Sequence, residues 1–246
     1  MPAVFVHGNP ETAAIWRPLL AELERKDVVC LSPPGFGAPL PPGFGATVGE
    51  YRDWLIERLA EIDEPVDLVG HDWGGSHVVS AVKTRPDLVR SWVSDALGTF
   101  DPDYVWHELA QVWQTPGAGE AAVEERFGSA EKRLAAFAGL GFPDDLATEI
   151  ATGHDPSLGP AMLALYRSAA QPVKAELGRD LTGLTRRPGL AVLAGQDHFV
   201  GTDEQRRRTA ARAGARVAEL PDLGHWWMIQ DPARGARILT DFWALG

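Results

Sequence analysis

The chain predicts an α/β fold, a mostly parallel sheet with helices on both faces, from three observations. Short apolar runs alternate with longer stretches of helical period. The runs are short and mostly apolar, the pattern of buried strands, and they are joined through helices. With 246 residues and 45% hydrophobic content, the chain can bury one substantial core with room for an insertion.

In chain order the strands are expected at Ala3–His7, Val28–Leu31, Val66–Gly70, Val89–Val93, Leu190–Ala194 and Ala215–Leu220. Helices are expected over 12–25, 47–62, 74–84, 203–213 and 231–244. Pro86 and Asp87 close the third of these, and Pro232 after Asp231 fits a helix start. Residues 98–188 hold no convincing strand. Trp106, Trp113, Phe127, Leu134, Phe137, Met162, Leu165 and Tyr166 recur there at roughly helical spacing, broken by Pro and Gly. The expected organisation is therefore a sheet domain formed by 1–98 and 173–246, with 99–172 inserted as a helical cap. Pro33-Pro34-Gly35-Phe36-Gly37 is echoed by Pro41-Pro42-Gly43-Phe44-Gly45, which reads as loop punctuation.

Composition excludes several classes of function. The formal charge of −11 argues against nucleic acid and anionic membrane as partners. Cys30 is the sole cysteine, so there is no intrachain disulfide, and within Val28-Val29-Cys30-Leu31 it reads as a small core residue. No stretch is long and apolar enough to span a membrane, and Met1-Pro2-Ala3 enters a strand with no signal-peptide pattern; a cytoplasmic enzyme is expected. No His/Cys cluster or phosphate loop is present, so neither metal nor organic cofactor is expected.

The chemistry is carried by Gly70-His71-Asp72-Trp73-Gly74-Gly75, which follows the apolar run Val66–Val69. Small residues around an exposed side chain, between strand and helix, are what a nucleophile elbow requires, because the backbone bends too sharply for larger ones. The apex is aspartate rather than serine. A carboxylate gains nothing by attacking an ester, since an anhydride results; it can attack a saturated carbon bearing a leaving group and form an alkyl-enzyme ester. Two later motifs complete the set. Gly195-Gln196-Asp197 ends a strand and offers an acid, and Gly224-His225-Trp226 places a histidine in a loop after the last strand. Asp197 would hold the tautomer of His225, and His225 would deprotonate water. Asp95, after the fourth strand, is an alternative acid.

These motifs, with His7-Gly8-Asn9-Pro10 after the first strand, resemble the α/β-hydrolase-fold epoxide hydrolases and the related haloalkane dehalogenases. The resemblance covers most of the sheet domain and less of the cap. It implies an α/β-hydrolase fold, an oxyanion hole from the backbone N–H groups of Asn9 and Trp73, and a small apolar substrate. For an epoxide hydrolase it implies cap tyrosines that donate to the epoxide oxygen. Tyr166, in Tyr166-Arg167-Ser168, matches that position well and Tyr104 less well. For a dehalogenase it implies halide held by the Asn9 amide and the Trp73 indole. The elbow, the histidine motif and Tyr166-Arg167 favour the epoxide; Asn9 favours the halide. Another hydrolase or lyase chemistry, or a small-molecule receptor, are further alternatives on the same fold. The chain departs from both families at its start, where the usual leading pair of antiparallel strands is missing. That leaves a sheet edge to be tolerated or covered, in a monomer or a homodimer.

Overall fold

A computed structural model describes residues 1–245. Six strands form one sheet: β1 (Ala3–Val6), β2 (Val28–Leu31), β3 (Val66–Gly70), β4 (Val89–Ser94), β5 (Gly189–Ala194) and β6 (Arg216–Leu220). Their order is β2-β1-β3-β4-β5-β6, and every pairing is parallel. The expected strand positions hold to within one residue at either end. Side chains alternate faces as strand geometry demands. Phe5, Val69, Val93 and Val192 point into one buried cluster, and Val4, Val6, Leu68, Trp92, Ala191 and Leu193 into the other. The apolar continuity seen in sequence is this double burial. β2 has the sheet on one side only, with Val29 39% exposed. Cys30 on that strand is half-buried rather than in the core, and burial pushes its thiol up to about 11.

The first expected helix splits into a 3-10 turn at Ala13–Trp16 and α1 (Arg17–Glu22). Pro18 near the helix start lacks the N–H that a longer α-helix would need at that point. α2 (Val48–Ala60) begins in a capping box, where Thr47 Oγ1 accepts from the Glu50 N–H (3.3 Å) and Glu50 accepts from the Thr47 N–H (3.1 Å). α3 (Trp73–Thr84) follows the elbow and is buried over most of its length.

Between β4 and β5 lie α4 (Glu108–Gln114), α5 (Ala118–Phe127), α6 (Ala130–Gly139), α7 (Asp144–Thr152), α8 (Leu158–Ser168) and α9 (Val173–Leu177). α10 (Asp203–Arg212), α11 (Trp227–Gln230) and α12 (Pro232–Trp243) complete the chain. Trp106, Trp113, Phe127, Met162, Leu165 and Tyr166 form a third cluster that reaches down to Trp73, Tyr51 and Phe36 of the sheet domain. Phe137, Phe142, Leu146 and Ile150 of the inserted segment instead join the cluster beneath α11 and α12. The insertion is thus tied to the sheet domain on two sides of the elbow. No helix among the described residues is long and apolar enough to cross a membrane.

Candidate active site

The sheet register sets the site. Val6 pairs with Gly70, Gly70 with Ser94, and Ser94 with Ala191, so β1, β3 and β4 end side by side while β5 runs on to Ala194. Asn9, Asp72, Asp95 and Asp197 leave from those carboxyl ends, where ligands of parallel sheets are held. The His225 loop is pinned against them: the Gln196 N–H donates to the Leu223 carbonyl at 2.8 Å, and the Gly195 N–H to that of Leu220 at 2.8 Å.

Asp72 has φ 50° and ψ −122°, a conformation that a non-glycine residue adopts only when its surroundings impose it. The constraint is visible. Its N–H donates to Asp95 Oδ1 (2.9 Å), and its carbonyl accepts from the Ser76 N–H (3.0 Å) in the first turn of α3. A methyl group on Gly70 would lie 2.5 Å from the Gly74 carbonyl oxygen, and one on Gly74 would collide with the Val6 carbonyl. Gly8 is required for a different reason: a Cβ there would strike the Asp72 carboxylate itself. The side chain sits at the N-terminus of α3, where the helix field favours negative charge.

The Asp72 carboxylate has two distinct oxygens. Oδ2 accepts from the Asn9 N–H at 3.2 Å, the donor expected of an oxyanion hole. The other expected donor, the Trp73 N–H, makes no hydrogen bond to Asp72 among the described residues. Oδ1 faces His225 Nε2 at 3.9 Å, too far for a direct hydrogen bond. His225 Nδ1 bonds Asp197 Oδ2 at 2.8 Å, and Asp197 also accepts from the Phe199 N–H at 2.8 Å. Burial alone would lower the His225 pKa. The Asp197 charge and hydrogen bond outweigh it and, with Asp72 and Asp95, raise it to about 10.

Asp95 is not the acid for His225. It is spent beneath the elbow, where its Oδ2 bonds His71 Nδ1 (2.6 Å) and accepts from the Trp227 indole (2.8 Å), while its Oδ1 holds the Asp72 N–H. Burial opposes charge on both partners, but each favours the other, so the Asp95 pKa is lowered and that of His71 raised.

A cavity of about 180 Å³ opens above Asp72, lined by Asn9, Pro10, His107, Trp113, Phe127, Leu140, Tyr166, Phe199, His225 and Trp226. Tyr166 is in its wall, packed edge-on to Trp73 with ring centroids 5.2 Å apart. Burial, and next the Asp72 charge, hold its phenol well above the ordinary value, so it stays protonated. Tyr104 is placed otherwise. Its hydroxyl donates to the Phe199 carbonyl at 2.8 Å, and it does not line the cavity. Trp73 likewise stands behind Tyr166, stacked on Trp106 at 5.5 Å, rather than in the wall. Both side-chain atoms of Asn9 are buried without a partner, as is the Trp113 indole nitrogen.

Three contributors were not legible in sequence. Trp113 differed in no way there from the other cap aromatics. Glu11 is wholly buried beside the site and accepts from the Trp226 indole at 2.7 Å, its pKa raised by burial. His71 could be read as elbow filler until its pairing with Asp95 was seen.

Comparison with known proteins agrees with this architecture. A family profile described as "Alpha/beta hydrolase family" matches residues 3–238, and the chain belongs to that family. A segment of 91 residues is 32% identical to (E)-2-((N-methylformamido)methylene)succinate hydrolase of Acinetobacter baylyi, covering 36% of this chain and only 35% of that relative. Methylesterase 2 of Arabidopsis thaliana is 25% identical over 97% of this chain and 92% of its own. A loop variant of the haloalkane dehalogenase DbeA from Bradyrhizobium elkanii superposes with a TM-score of 0.68 and 18% identity, over 99% of this chain and 90% of that one, a likeness of fold. The protein is therefore a hydrolase of the alpha/beta family, with an aspartate at the apex of its elbow.

Proposed function

We propose that the protein opens epoxides to vicinal diols through an alkyl ester on Asp72. The observation that carries this reading is the presence of one protonated phenol, Tyr166, in the same small cavity as Asp72 and His225. Asp72 Oδ1 attacks an epoxide carbon, the carbon–oxygen bond breaks, and the ring oxygen takes the Tyr166 proton. An alkoxide is a stronger base than a phenolate, so the transfer runs downhill even from a weakly acidic tyrosine.

Esterification removes the Asp72 charge, one of the charges that hold His225 protonated. His225 then moves toward the neutral form, its proton passing through the cavity to the Tyr166 phenolate, and can take a proton from water. The hydroxide bonds to Asp72 Cγ, and the carbonyl electrons move to Oδ2, which the Asn9 N–H faces. Collapse breaks the bond from Cγ to the ester oxygen. The diol leaves with an original Asp72 oxygen, which takes the second water proton from the new Asp72 hydroxyl; a water oxygen replaces it, and His225 keeps the first water proton and regains its resting charge. Apart from Asn9, His107, Arg126 and the reacting groups, the cavity walls are aromatic and aliphatic, which suits a small and largely apolar substrate.

Asn9 supports a second reading. Its unpartnered, buried amide on the cavity wall could bind a departing halide, as in a dehalogenase, with no proton needed. Parallel incubation with small epoxides and haloalkanes, measuring diol and halide directly, separates the two. Diol release that falls about 10²–10⁴-fold in Tyr166→Phe supports the epoxide reading; halide release indifferent to Tyr166 and lost in Asn9→Ala overturns it. Single turnover in oxygen-18 water must give unlabelled diol, and His225→Gln must accumulate the ester by intact mass. Immediate labelling of the diol refutes the covalent route.

A further inference from the structure

Lys174, near the start of α9, is 1% exposed. Its ammonium has one hydrogen bond, to Ser76 Oγ at 2.9 Å, and among the described residues it forms no ion pair. The rest of its surroundings are aromatic: the Phe100 ring centroid is 4.0 Å from Nζ and that of Trp73 is 5.1 Å. A buried ammonium is costly, and a leucine or methionine would fill the same space without that cost. Two of these three groups belong to the elbow. Trp73 directly follows the nucleophile, and Ser76 is bound through its N–H to the Asp72 carbonyl.

We infer that Lys174 is a positioning residue for the nucleophile: from behind Trp73 its ammonium supplies the counter-charge to the Asp72 carboxylate and to the oxyanion formed when the Asp72 ester is hydrolysed. Among the described residues the neighbouring charges leave it no other partner. His77, on the same face of α3, is buried and its pKa is lowered to about 3 by burial and by Lys174 itself, so it is neutral. Asp101, next to Phe100, is taken by Arg208 at 2.7 Å. Burial lowers the Lys174 pKa to about 7, and the Asp72 charge is what opposes that fall. Lys174 therefore carries a charge whose existence depends on the state of the nucleophile. In the hydrolysis step negative charge returns to Oδ2 and favours the ammonium form of Lys174 again, so that the oxyanion and the ammonium stabilise each other, while the proton of the attacking water still goes to His225.

The kinetic consequence rests on the alkyl-ester reading above, and the titration does not. The chain has four lysines, so [ε-¹³C]lysine NMR resolves Lys174, assigned by the signal missing from Lys174→Met. The expected result is a midpoint near pH 7 that moves to lower pH in Asp72→Asn. A midpoint unmoved by Asp72→Asn overturns the inference whatever the substrate proves to be. With styrene oxide as the probe, Lys174→Met should hydrolyse the Asp72 ester roughly tenfold more slowly, so that the adduct accumulates, and Lys174→Arg should restore turnover. Lys174→Met should be at least as stable as the parent. Loss of stability with ester hydrolysis at the parent rate assigns Lys174 a structural role and refutes the proposal. If no adduct forms in any variant, His225→Gln included, the alkyl-ester reading fails and the titration alone decides on Lys174.

Discussion

Replacing Asp95 with asparagine should destabilise the whole domain, although Asp95 is not the acid of the catalytic set. Its carboxylate serves three buried donors at 2.6, 2.8 and 2.9 Å: His71 Nδ1, the Trp227 indole and the Asp72 N–H. Asparagine keeps one acceptor oxygen and loses the charge, so His71 must stay buried as a lone cation or surrender its proton. Breaking a buried ion pair in this way costs about 3–5 kcal/mol. For a chain of this length each kcal/mol moves the melting temperature by about 2–4 °C, so the drop should be about 6–20 °C.

Its pH dependence identifies the pair. His71 has a raised pKa in the fold, so its contribution is complete below the ordinary imidazole value of 6.5 and fades as pH climbs through the folded value. The Asp95 pKa is lowered, so its contribution is complete above the ordinary value of 3.8 and fades as pH falls through the folded value. The stability gap between parent and Asp95→Asn should therefore be widest between those two ordinary values and narrow on the alkaline side. Urea unfolding at a series of pH values measures it. A loss below about 1 kcal/mol, the size of an ordinary hydrogen bond, or a gap independent of pH, would refute the reasoning.

Gly8→Ala should leave far-ultraviolet circular dichroism unchanged and reduce turnover by about 10²-fold, because the new methyl displaces the Asp72 carboxylate. Tyr104→Phe should leave turnover near that of the parent and cost about 1 kcal/mol of stability, the hydrogen bond to the Phe199 carbonyl being its visible role. Equal losses of turnover in Tyr104→Phe and Tyr166→Phe would contradict that assignment. Trp16→Ala should cost about 3–5 kcal/mol in urea unfolding, since the ring is fully buried and edge-on to Phe5 at 5.1 Å.

What could be read from sequence is what local sterics dictate. The central strands are buried on two faces and so are mostly apolar, and the edge strands β2 and β6 keep enough apolar residues to be visible as runs. The elbow was visible because Gly70 and Gly74 answer to backbone atoms a few residues or one strand away. Asp197 and His225 were visible because each follows a strand at the one edge of a parallel sheet where loops can meet. The first helix was read as continuous because Trp16 and Leu19 keep helical spacing across a break that only the backbone reveals.

The leaving-group side has no comparable local signature. Tyr104 and Tyr166 belong to one aromatic cluster, yet a carbonyl 95 residues further along claims the first and leaves the second facing Asp72. The buried ions follow the same logic at longer range. An aspartate after a strand, a glutamate after a proline and a lysine after a cap are ordinary surface residues by composition, and only the packing of distant segments encloses Asp95, Glu11 and Lys174. Of Asp72's electrostatic partners, Asp197 and His225 come from strand-end motifs, whereas the ammonium behind Trp73 is placed by the route of the chain leaving the insertion. On the proposed reading the nucleophile is therefore specified within six residues, while the field in which it would react is specified by the whole fold. Substitutions in the elbow should abolish the proposed chemistry outright, and substitutions in the enclosing segments should change its rate and pH dependence while leaving the Asp72 carboxylate in place.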